Sequence, residues 1–72
     1  MTTTTIDYDY ETETHHVRRI LEQRSVRVHG VCTREASADA PALTRVYLDA
    51  PLTESERRIL DRAIEEFRVA GA

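Results

Sequence analysis

Apolar and polar residues alternate or recur along the chain in five stretches, and each stretch has a recognisable period. In Thr5-Ile6-Asp7-Tyr8-Asp9-Tyr10 the residues Ile6, Tyr8 and Tyr10 fall on one side and Asp7 and Asp9 on the other, the period of a half-buried strand. Val17, Ile20 and Leu21 in residues 15–24 stand at i, i+3 and i+4, which predicts a short amphipathic helix with Thr14 as its N-cap. Residues 25–33 alternate again and predict a second strand, with Val26, Val28, Gly30 and Cys32 inward and Arg27, His29, Val31 and Thr33 outward. Residues 43–49 predict a third, with Val46 and Leu48 inward and Arg45 and Tyr47 outward. Between these two strands, residues 34–42 are polar and Ala-rich, and read as a mobile loop.

The last stretch carries the fullest set of signals. Thr53 and Glu56 have the spacing of a capping box, Ile59, Leu60, Ala63, Ile64 and Phe67 form one stripe, and Gly71 suits the position after the helix end. The order β-α-β-β-α predicts an α+β domain, a three-stranded antiparallel or mixed sheet with both helices on one face. The alternative is α-β-β-α, with the acidic N-terminus as a disordered tail. Residues 1–72 make a single domain, with 1–4 expected to be disordered.

The tetrapeptide Arg-Arg-Ile-Leu occurs twice, at 18–21 and at 57–60. A shift of 39 residues also places Thr5 on Thr44, Tyr8 on Tyr47 and Thr14 on Thr53. Because that shift is odd, it puts Ile6 on Arg45 and exchanges the faces of the two strands. The tetrapeptide is therefore read as two amphipathic helix turns, each with an apolar pair docked on the sheet and an arginine pair in water.

Composition changes the picture in three places. The core is aliphatic, with no Trp and one Phe, which leaves little room for a deep catalytic cavity. A chain of 72 residues buries only about 60% of its unfolded surface, so a partner subunit would help it. Charge is unevenly spread: Asp7, Asp9, Glu11 and Glu13 precede any base, and all ten basic residues are Arg. The overall charge of −3 gives no strong pull toward nucleic acid or anionic membrane. The single Cys32 permits no internal disulfide, and the N-terminus lacks the pattern of a signal peptide, so the expected compartment is the cytoplasm.

Candidate chemistry is sparse. His29 and Cys32 have the spacing of a metal half-site, but residues three apart on a strand point to opposite faces. His15 and His16 diverge on a helix, and Cys32, placed inward, reads as a buried structural thiol. There is no phosphate-binding glycine loop and no Ser/His/Asp set. The expectation is no enzyme, no catalytic residue, no cofactor and no metal.

The βαββα order resembles a ferredoxin-like βαββαβ fold without its last strand, a likeness of topology carried by no motif. It implies that the third strand lies between the first and second, and that the first has an unpaired edge. Such edges invite pairing with another chain, so the expected partner is a protein, or a second copy joined as a homodimer through residues 4–10. The expected contact face holds Arg27, His29, Arg45 and Tyr47, with Tyr8 and Tyr10 as secondary anchors. The expected function is a small protein-interaction or regulatory module. The alternatives are nucleic-acid binding through the arginine-bearing sheet face and a phage-type inhibitor of a host protein.

Overall fold

The computed structural model describes residues 4–69, which form β1 (Thr4–Tyr8), α1 (Thr14–Gln23), β2 (Gly30–Arg34), β3 (Leu43–Leu48) and α2 (Glu54–Glu66). The sheet order is β1-β3-β2, antiparallel throughout, as the topology without a fourth strand implies. The N-terminus is therefore a strand and not a tail. Thr4, expected in a disordered stretch, is its first residue, and residues 1–3 lie outside the described part.

Register fixes what each face carries. Ile6, Val46 and Val31 are opposed across the three strands, and so are Asp7, Arg45 and Cys32. The first row turns to the helices and joins Val17 and Leu21 of α1 with Leu60, Ala63 and Ile64 of α2 in one core cluster. Both helices thus cover the same face, and the second row lies on the open one.

The second strand departs from the sequence expectation in extent and in phase. Val26 and Val28 are not in a strand, Val31 is the buried residue, and Cys32 is exposed. The cause is the end of α1. Ser25 adopts a left-handed φ of 58°, its N–H donates to the carbonyl of Glu22 at 3.1 Å, and the N–H of Val26 reaches Leu21 at 2.9 Å. Those two bonds make a Schellman motif, in which Val26 is the apolar residue that folds back against the last turn. Val26 is accordingly buried with Leu21 as a helix terminator. A strand reaching back to Val28 would also run past the end of β3, since Gly30 already pairs with Tyr47.

The helices begin differently. In α2 the Thr53 hydroxyl accepts from the Glu56 N–H, and the Glu56 carboxylate accepts from the Thr53 N–H, the expected capping box. In α1 Thr14 is the first helical residue, and the N-cap is Glu13 with no side-chain bond to the helix. At its other end α2 stops at Glu66 with Phe67 as C-cap, so the following position falls on Arg68; Gly71 lies outside the described residues. What stops it is pairing across the molecule. The Glu13 N–H donates to the Phe67 carbonyl at 2.9 Å and the Val69 N–H to the Glu11 carbonyl at 2.8 Å.

Three threonines tie this crossing to the sheet. The Thr44 hydroxyl donates to the Tyr10 carbonyl at 2.7 Å, and lies 3.0 Å from the Thr12 hydroxyl and 3.3 Å from that of Thr33. With its own proton used on Tyr10, Thr44 must accept from Thr12. Thr12 and Thr44 are fully buried, and no buried side-chain polar atom among the described residues lacks a partner.

Candidate interaction surface

On β3 the alternation that buries Val46 turns Arg45 and Tyr47 to the open face. Asp7, directly opposite Arg45 on β1, receives its guanidinium through both carboxylate oxygens, at 2.8 Å from Nε and 3.0 Å from Nη2. That hydrogen bond holds the Asp7 carboxyl below the usual carboxylate range. It also raises the Arg45 guanidinium further, with a smaller contribution from the Tyr47 phenol. The acidic N-terminal strand is therefore paired with the domain's own arginine at Asp7. Asp9, which alternation sets on the same side as Asp7, lies beyond the strand in a bend.

Arg27 and His29, expected on the same face, sit on the segment between α1 and β2 and in no strand. The His29 N–H donates to the Tyr47 carbonyl at 2.7 Å, and its ring Nδ1 is 3.1 Å from the exposed Asp49 carboxylate. Arg27 lines an open groove of about 910 Å³ with Arg18, Glu22, Asp49 and Glu56, where α1 ends and α2 begins. The four residues expected to form one face are thus divided: Arg45 and Tyr47 on the sheet, Arg27 in the groove, His29 at the border.

Tyr8 and Tyr10, expected as anchors for a partner, point to the helix side and are used within the fold. The Tyr8 hydroxyl donates to Asp61 at 2.6 Å, and burial followed by this carboxylate drives its pKa far upward. The Tyr10 hydroxyl reaches Glu65 at 3.4 Å, and the Arg68 guanidinium lies 4.4 Å from the centre of its ring. Burial and then Glu65 push the Tyr10 phenol up as well. The two rings lie 6.1 Å apart and tilted against one another, with both hydroxyls turned to α2.

Cys32, expected inward as a buried thiol, is exposed on the open face as the cross-strand neighbour of Arg45. The reversal of β2 that buries Val31 puts it there. His16, on the first turn of α1, stacks on Phe67 at 5.2 Å between ring centres and stands 3.4 Å from Glu13. Among the described residues no three His, Cys, Asp or Glu side chains cluster in a way that could hold a metal ion. Nor is any described helix long and apolar enough to cross a membrane.

The outer edge of β1 is the other notable surface. Thr4–Tyr8 pairs with β3 along one side in unbroken register, and among the described residues nothing pairs with its other side. Natural edge strands are usually protected by Lys, Pro or a bulge. β1 has none of the three.

No protein-family model matches the chain, and no curated protein or solved structure shows significant similarity to it.

Proposed function

We propose that the protein is a small non-enzymatic interaction module that regulates a partner by binding to it, with the outer edge of β1 and the adjoining open sheet face as its contact surface. The observation that carries this reading is the five-residue edge of β1, regular, without partner among the described residues, and free of Lys, Pro or a bulge. Main-chain groups along such an edge supply affinity for an extended segment, and the side chains beside it supply selectivity. Tyr47 contributes a half-buried aromatic on the open face. Arg45 is already neutralised by Asp7, and Arg27 lies off the sheet, so this face offers nucleic acid little unpaired positive charge.

The test uses the strand itself. Consecutive residues of a strand send their N–H groups to opposite sides, so one of Thr5→Pro and Ile6→Pro removes only an outward donor. The variant that keeps the wild-type circular dichroism spectrum has its edge blocked and its fold intact. The expected result is that wild-type protein retains a bound partner in affinity capture from cell extract and the blocked variant loses it. Capture that is equal for both removes the edge as the contact. Capture that nuclease abolishes would assign the surface to nucleic acid instead.

A further inference from the structure

The side chains along β1 are complementary to themselves. Two copies of β1 related by a two-fold axis run antiparallel, and full overlap of Thr4–Tyr8 places the axis at Ile6. Thr5 then faces Asp7 of the second copy, twice by symmetry, and Ile6 faces its own counterpart. Thr5 is exposed and carries a hydroxyl donor. The Asp7 carboxylate is oriented and kept charged by Arg45 at 2.8 Å and 3.0 Å. Ile6, half-buried on the helix side, would complete its burial against the same residue.

Other registers lose these contacts. A slip of one residue sets helix-side residues against open-face residues, which puts the two helix layers on opposite sides of the sheet. Moving the axis to Asp7 sets two carboxylates directly opposite one another, a destabilising pair. An axis at Thr5 leaves only Thr4–Ile6 of the described strand in register and separates the isoleucines.

From this we infer that the occupant of the β1 edge is a second copy of the chain, joined with Ile6 on the axis into a continuous six-stranded antiparallel sheet that has all four helices on one face. The inference rests on the edge reading above and names its partner.

The full chain is measured by sedimentation equilibrium over the micromolar range at low salt. A dimer is expected. Thr5→Asp, which places like charges opposite at two symmetric positions, should weaken it roughly tenfold, whereas Thr5→Lys should tighten it. Register is read by cross-linking in a Cys32→Ser background. An equimolar mixture of Thr5→Cys and Asp7→Cys chains should oxidise to a covalent heterodimer, and neither chain alone should do so. A dimer insensitive to Thr5→Asp, or one in which Thr5→Cys cross-links to itself, overturns the assigned register. A monomer throughout overturns self-pairing. If that monomer still captures a partner that the proline-blocked variant loses, the edge reading stands; if it does not, both fall.

Discussion

The two Arg-Arg-Ile-Leu turns have the same burial, residue by residue. Arg18 and Arg19 are exposed, Ile20 half-buried and Leu21 buried, and the same sequence of environments holds for Arg57, Arg58, Ile59 and Leu60. The helices around them are held in different ways. α2 is secured by its own residues, with a capping box at its start and the i, i+4 pairs Arg57–Asp61 and Arg58–Glu54 along it. α1 has no side-chain cap, and its clearest local device is the Schellman turn after Gln23. One tetrapeptide thus specifies how a helix turn meets a sheet, while the flanking residues decide how firmly the helix begins and ends. The strands before the two copies confirm that the likeness stops at the helix. Tyr8 and Tyr47, which align at the 39-residue shift, face opposite sides of the sheet.

If the turns are equivalent in the core, Leu21→Ala and Leu60→Ala should be equally costly. Each leaves a cavity at a fully buried position, and a loss of about 2–5 kcal/mol is expected from chemical denaturation for both. Unequal losses would break the equivalence. The ends should differ. Thr53→Ala removes the capping hydroxyl of α2 and should cost about 1 kcal/mol, whereas Thr14→Ala, which removes no cap, should be close to neutral. Ser25→Gly should raise stability by up to about 1 kcal/mol, because glycine enters the left-handed position after α1 without a Cβ penalty. Arg58→Ala deletes an exposed ion pair and should cost no more than about 0.5 kcal/mol, measured against Arg19→Ala on α1.

A final difference concerns pH and is confined to alkaline solution. Tyr8 binds its proton more tightly in the folded chain, through burial and then through Asp61, so its folded pKa lies above the unfolded value near 10. That contribution to stability is complete below the unfolded pKa and is lost as pH rises above it. The wild type should therefore lose stability above pH of about 10 more steeply than Tyr8→Phe, as followed by thermal melting.

Much of this fold could be read directly from residue periodicity. β1, β3, both helices and the capping box follow from alternation and spacing alone, whereas the contact between Asp7 and Arg45 also needs the sheet order that sets β1 beside β3. The errors have specific origins. Val26, Arg27, Val28 and His29 alternate as a strand does, but Val26 serves the end of α1, and β3 has no residues left for Val28 to pair with. With the strand begun too early, Val31 and Cys32 were exchanged between faces. Arg27 and His29 left the expected surface for the same reason. Thr12 and Thr44 read as polar in any pattern, and only the hydroxyl network explains their complete burial. Alternation puts Tyr8 and Tyr10 on the helix side, yet their hydroxyl partners on α2 are more than fifty residues away in sequence, beyond any local signal.

The central place of β3 also orders events in time. Its contacts with β2 are local, as between Thr33 and Thr44, 11 residues apart, whereas its ion pair with β1 joins Asp7 and Arg45 across 38. Closing the longer loop costs more chain entropy, so the β2–β3 hairpin should form first and β1 should dock late. During synthesis the N-terminal strand emerges first and must wait for residues 43–48 before it has a neighbour. Once the hairpin has formed and until β1 docks, one side of β3 is as open as the outer side of β1 is in the finished molecule. A nascent chain on a neighbouring ribosome could offer its own β1 to that vacancy, which makes strand exchange between chains the misfolding route this topology must outrun.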